Sequence, residues 1–353
     1  MPTIEPSPTF LPAEPTLTAA PATTAAPGPT ATAGFSPAFQ ELRATLELFS
    51  REKLEEGASA VLVKARVGQQ EWELASGVRS QDTGDPVQPS DLFPVGEQYR
   101  SFLAVSVMKL VDEGRLGLAD RVAAYLPGSL AADSPVTIRE LLGDAIEVPD
   151  AGDLSEGALT GADATGLLGQ VVERLRGAPL EAVLQTEVLT PLNLRSTQLL
   201  EANAAVPETL IHGYVQLEGQ NVDVTGAPLP DGISSGGLVS TLKDVSEFHA
   251  ALLRGRLLSP SGLVAMKGTV FADDGFGLDH WDDRCTNGLY YGYTGDIPGY
   301  GSVSITSADG NRQLSIFMAY PPQPVTSRPS ALALEMTGVA QVALNSGCRF
   351  QFR

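Results

Sequence analysis

Apolar residues Phe39, Leu42, Leu46 and Phe49 recur at helical spacing just after Ser36-Pro37. Ser36 supplies an N-cap and Pro37 a first-turn proline, so a helix opens the folded part of the chain. The period then changes. Ala58–Val67 is rich in β-branched and apolar residues, and with Glu71–Val78 around Trp72 it reads as two strands joined by a turn at Gly68. A polar loop, Gln81–Ser90, leads to Phe93-Pro94-Val95-Gly96, beyond which Ser101–Glu113 forms a helical run. From Phe102 to Leu110 that run is nearly all apolar, which predicts a helix buried on most of its surface.

Further helices are expected at Thr137–Leu142, at Leu167–Leu175 (ended by Gly177), and from Pro179 onward, with Pro191-Leu192-Asn193-Leu194 as a connecting turn. The run Ser234–Thr241 leads into a capped helix through Leu253. Strands follow at Gly299–Thr306 and Leu314–Ala319 about an Asp309-Gly310 turn, and a helix over about Ser330–Leu344 comes last. Strands at both ends with helices between them predict an α+β sheet flanked by helices, not a βαβ array. No repeat at a solenoid period is present.

Composition sharpens this picture. Residues 1–34 contain eight each of Pro, Thr and Ala. Such a stretch buries too little apolar area to offset its ordering entropy, so residues 1–35 read as a disordered linker or stalk and 36–353 as the folded domain. The 353 residues, 43% of them hydrophobic, suffice for one large domain or two modest ones. A net charge of −19 disfavours nucleic acid as a partner.

No apolar run approaches the ~18 residues of a membrane span. Met1-Pro2-Thr3-Ile4 lacks the basic region and apolar core of an export signal, which leaves a cytoplasmic protein or a processed, exported one. His212, His249 and His280 are scattered without metal-ligand spacing, so no metal or other cofactor is expected. Cys285 and Cys348 are either free buried thiols or a single disulfide.

From Phe93 onward a series of stretches carries a family resemblance. They are Leu110-Val111-Asp112-Glu113-Gly114-Arg115-Leu116 with Tyr125-Leu126-Pro127-Gly128, then Val136–Leu142, Pro191–Leu194 with Thr197, and His212-Gly213-Tyr214. Ser235–Thr241 and Tyr293-Thr294-Gly295-Asp296-Ile297-Pro298-Gly299-Tyr300 complete the series. In this order they resemble the serine β-lactamase and penicillin-binding-protein superfamily, above all secreted DD-carboxypeptidases, class C β-lactamases and their esterase relatives, over roughly residues 36–349. The resemblance implies an antiparallel sheet flanked by helices with an all-helical subregion. It also implies a Cys285–Cys348 disulfide, placed as in some secreted relatives, and with it an oxidising, extracytoplasmic compartment.

The chemistry of that family needs three clusters, and each is altered here. The nucleophile and its amine partner, Ser-x-x-Lys at the head of the buried helix, are replaced by Glu97 and Arg100. A carboxylate attacking an amide gives a labile anhydride instead of a stable acyl ester, and a guanidinium stays protonated. The pair reads as a structural Glu–Arg contact at i, i+3. The second cluster, Tyr-x-Asn, falls on Thr160 and Ala162 when counted back from Gly177. The third, Lys- or His-Thr-Gly, is Tyr293-Thr294-Gly295, which keeps the small residues and loses the cation. Other Ser-x-x-Lys matches begin at Ser50, Ser106 and Ser240 but lack the motif's context; Ser106 lies two and a half helical turns past Glu97, on the other side of the helix.

The expectation is therefore a catalytically inactive homologue on an extracytoplasmic stalk. It would be retained for binding a partner protein or a peptidoglycan-type ligand in a residual cleft of Glu97, Arg100, Tyr293, Thr294 and Gly295. The competing expectations are an active hydrolase using non-standard residues and a cytoplasmic binding protein.

Overall fold

A computed structural model describes residues 34–130, 134–143, 161–200, 205–226, 237–268, 275–325, 330–346 and 348. The predicted linker lies almost wholly outside these residues; the larger unit spans Ser36–Arg353. The first helix, α1 (Pro37–Glu55), starts as expected: Ser36 Oγ accepts from the Phe39 N–H, and Phe39, Leu42, Leu46 and Phe49 are buried. β1 (Ala60–Val67) and β2 (Gln70–Gly77) pair as a hairpin in the register Ala60↔Gly77.

After β3 (Phe93–Pro94) a 3₁₀ turn, Gly96–Gln98, passes directly into α2 (Tyr99–Asp112), whose residues Phe102–Met108 are all buried. An all-helical region follows with α3 (Val122–Tyr125), α4 (Ile138–Leu142), α5 (Gly161–Arg176), α6 (Leu180–Leu184) and α7 (Thr190–Leu192). Three short pieces of sheet come next: β4 (Gln198–Leu199), the hairpin of β5 (Tyr214–Leu217) and β6 (Gln220–Asp223), and β7 (Leu238–Ser240). The chain then forms α8 (Leu242–Leu253), α9 (Pro260–Lys267), β8 (Asp279–Asp283), β9 (Gly288–Ile297), β10 (Tyr300–Ser307), β11 (Arg312–Ala319) and α10 (Ala331–Asn345).

The main sheet has the order β2-β1-β11-β10-β9-β8, antiparallel throughout. Its first two strands come from the beginning of the domain and the other four from its end, as strands at both ends of the pattern predict. Side chains alternate between its faces. On β9, Tyr290 faces α10, where its hydroxyl donates to the Leu344 carbonyl. On the other face Ser304 of β10 and Ser315 of β11 meet Ser246 of α8. α2 stacks on α8 through Phe102 and Phe248, ring centroids 3.7 Å apart. Phe93 and Phe317 join β3 to the sheet at 4.5 Å. The α+β architecture follows from these pairings.

Several details differ from the sequence pattern, α3 and α9 among them, which no expected helix covers. α5 begins at Gly161, ahead of the first strongly apolar position, Leu167. The Pro191 turn is the last turn of a helix, stopped by Asn193 in the left-handed region at φ 58°. The hairpins β5–β6 and β8–β9 were not foreseen, because β6 is exposed at every residue and β8 carries Asp279, Asp282 and Asp283. Neither presents an apolar alternation. Cys285 and Cys348 form a disulfide, their Cα atoms 5.0 Å apart.

Candidate functional site

β8 pairs with only Gly288–Gly292 of β9. Beyond that point the free edge of β9, Tyr293–Ile297, is met by the turn Gly96–Gln98 at the head of α2. Two glycines permit the contact. Gly96 has φ +59°, and a Cβ there would lie 3.2 Å from the Gly295 Cα; a Cβ on Gly295 would lie 2.2 Å from the Val95 carbonyl oxygen. The sequence-predicted residues Glu97, Thr294, Gly295 and Tyr293 are thus brought to one place. Tyr293 and Gly295 share the sheet face that receives the turn, opposite Ser304 and Ser302 of β10.

Glu97 is fixed to this edge. Its Oε2 accepts a hydrogen bond from the main-chain N–H of Asp296 at 2.6 Å. Arg100 reaches the other wall, where Nη2 donates to the Leu141 carbonyl at the end of α4 (3.4 Å). These two bonds anchor Glu97 to β9 and Arg100 to α4. A carboxylate has taken an outward-facing backbone donor, the kind of group that stabilises a developing oxyanion in acyl transfer. Thr160 lies outside the described residues, and Ala162 falls in the first turn of α5.

Residues beneath the turn hold it in place. Gln98, 1% exposed, donates through Nε2 to Ser302 Oγ at 2.6 Å, and Ser302 Oγ donates to the Val95 carbonyl at 3.2 Å. Its Oε1 lies 3.4 Å from His249 Nε2 on α8. His249 is fully enclosed, and desolvation pushes its imidazole down to about 3, so it is neutral. Asp296 turns its side chain to the opposite face, accepting from Tyr320 Oη (3.0 Å) and from the Ser330 N–H and Oγ at the start of α10. Burial and the neighbouring Asp296 carboxylate push the Tyr320 phenol well above its ordinary range. Gln98, Asp296, Ser302 and His249 escaped sequence reasoning, since single polar residues inside apolar runs carry no pattern.

The other Ser-x-x-Lys matches are structural. Lys53 pairs with Glu56 and Glu335 at 2.7 and 2.9 Å. Ser106 is fully buried beside Glu187, away from the turn. Thr241, not Ser240, caps α8, accepting from the Asp244 N–H at 3.3 Å. Among the described residues no three His, Cys, Asp or Glu side chains are placed to hold a metal ion. No described helix is long and apolar enough to cross a membrane.

The sequence model of the family described as "Beta-lactamase" matches residues 39–333. The chain belongs to the beta-lactamase family. Among curated relatives it is 32% identical over 163 residues to "Penicillin-binding protein 4" of Amycolatopsis lactamdurans, covering 37% of this chain and 42% of that one. It is 28% identical over 246 residues to "Esterase EstB" of Burkholderia gladioli, covering 56% and 62%. The beta-lactamase-family chain thus spans between about two fifths and two thirds of these relatives' lengths. Its fold is similar to that of the D-amino acid amidase of Ochrobactrum anthropi, with a TM-score of 0.71, 19% identity, and coverage of 86% of this chain and 98% of that one. It is likewise similar to a D-stereospecific amidohydrolase from Streptomyces sp., with a TM-score of 0.67, 24% identity, and coverage of 79% and 94%. These likenesses establish the fold alone.

Proposed function

We propose that this beta-lactamase-family domain is catalytically inactive and is retained to bind a partner protein or a cell-wall-derived ligand outside the cytoplasm. The observation that carries the reading is the 2.6 Å bond from the Asp296 N–H to Glu97 Oε2. At the head of α2, where the family resemblance calls for a serine, this chain has a carboxylate, and that carboxylate consumes the donor an acyl oxygen would need. Arg100 cannot act as a base, because a guanidinium does not give up its proton at physiological pH. Tyr293 supplies an aromatic surface in place of a cation. A binding role asks only for a stable surface, and Gly96, Gly295, Gln98 and Ser302 hold the turn against the sheet.

Intact-mass measurement after incubation with a fluorescent penicillin tests the reading: the mass stays unchanged. A covalent increase overturns it. A second reading, a hydrolase working through unfamiliar residues, draws support from relatives named as an esterase and as amidases. Turnover of chromogenic esters that disappears with Glu97→Gln would favour that reading over ours.

A further inference from the structure

Lys267, the last residue of α9, is half-buried with its ammonium Nζ 4.3 Å from the centroid of the Tyr291 ring. Arg139 of α4 holds its guanidinium 5.3 Å from the centroid of the Phe276 ring. Neither cation has a carboxylate partner among the described residues, although 42 acidic residues face only 23 basic ones in the chain. Other cations of this protein take such partners: Lys53, Lys64, Arg176 and Arg256 all do.

The two cations border one wall. The Phe276 N–H donates to the carbonyl of Met266, the residue before Lys267, at 3.2 Å. Ser101 Oγ donates to the Gly277 carbonyl at 2.6 Å, and a Cβ on Gly277 would lie 3.0 Å from the Arg100 carbonyl. The segment Gly275–Leu278 therefore packs on the first turn of α2, with Arg139 on Phe276 and Lys267 beside it. Tyr291, Tyr293 and Gly295 occupy alternate positions of β9 and so line the same face. At ~3.3 Å per residue, Lys267 stands over a point roughly 13 Å along the strand from Gly295.

We propose that Lys267 and Arg139 form a carboxylate-binding wall of the cleft, taking a small ligand that carries a carboxylate on an apolar or aromatic stem. The partly exposed Tyr291 ring supplies the apolar contact, while the Tyr291 ring and the buried Phe276 ring hold the cations by cation–π attraction without neutralising them. Partial desolvation lowers the Lys267 ammonium from its ordinary value, as for a charge deprived of part of its water. An anion arriving there repays that loss. A long polyanion is disfavoured by the net charge of −19, whereas a single carboxylate is not. The assignment rests on the binding role proposed above for its purpose, though not for its geometry.

The test is calorimetric titration of the full chain with 3-phenylpropionate and with its neutral amide, 3-phenylpropionamide, at low salt. The carboxylate should bind at least about tenfold more tightly than the amide. Lys267→Gln should abolish that preference and Lys267→Arg should keep it. Arg139→Gln, on a separate element, should weaken it, with thermal unfolding confirming that each variant is folded. Equal binding of the two probes, no binding of either, or a preference that survives both glutamine variants overturns the proposal. The penicillin mass test separates the two readings. An adduct with the carboxylate preference intact rejects inactivity and keeps this site; no adduct and no preference rejects this site alone.

Discussion

Gln98 and Ser302 are joined by a 2.6 Å hydrogen bond between side chains that are both 1% exposed, which pins the turn before α2 to the centre of the sheet. Replacing Gln98 by Leu leaves Ser302 Oγ without its donor and His249 Nε2 without its partner. Each buried polar group so orphaned costs about 1–3 kcal/mol. Urea denaturation of Gln98→Leu should show a loss of roughly 2–4 kcal/mol at an unchanged slope. A loss below about 0.5 kcal/mol would mean that the turn is held by other contacts.

Glu97 contributes a charge-assisted bond across a rim that is partly open. Glu97→Ala should lower stability by roughly 1–2 kcal/mol in the same assay. The double replacement Glu97→Ser with Arg100→Lys should still not hydrolyse chromogenic esters, if the resemblance is right to set Thr160 and Ala162 where the family has a phenol and an amide. Restored turnover in that double variant would show that the first cluster alone decides activity.

His249 makes stability depend on pH with a definite sign. Its imidazole ionises near 6.5 when unfolded and at about 3 in the buried site. Between those values the unfolded chain binds a proton that the folded chain refuses, so stability falls as pH falls, by about 1.4 kcal/mol per pH unit from this group. His249→Gln should remove that part of the slope between pH 6 and 4.5. Parallel curves for the two proteins would show that the buried histidine takes up its proton while folded.

The Cys285–Cys348 disulfide links residues 63 apart in sequence. In the loop-entropy account, closing such a loop in the unfolded chain stabilises the fold by about 4 kcal/mol. Denaturation with and without a thiol reductant, alongside Cys285→Ala with Cys348→Ala, should show a loss of that order. Identical midpoints in oxidised and reduced protein would refute the expectation.

Much of the architecture was legible because it rests on local periodicity. The helical spacing of Phe39, Leu42, Leu46 and Phe49, the apolar run Phe102–Leu110 and the strand pattern of Ala58–Val67 each state their own burial. Glu97, Tyr293 and Gly295 were singled out through motif context, and the fold brings them to one place. The partners that fix them were not. Asp296 serves through its main chain, which no side-chain pattern encodes, and Gln98 and His249 look like interruptions of apolar faces. Lys267 and Arg139 meet their rings across elements distant in sequence. Strand β8, with its three aspartates, hides an edge strand behind a polar composition.

The pairing of β1 with β11, Ala60 opposite Ala319, sets a timetable for folding. β1 and β2 leave the ribosome first, yet the central neighbour of β1 is not made until residue 319 is. At ~5–20 residues per second, the early hairpin waits roughly 10–50 s with one buried-type edge unmatched. The helical region and α8 can condense in that interval, but the sheet against which α8 packs does not yet exist. A chain stopped shortly before Arg312 would lack the strand that joins the β1–β2 hairpin to β10, β9 and β8, and would leave an open edge on each side of the gap. Nascent chains arrested at such lengths should be the forms on which chaperones and proteases act.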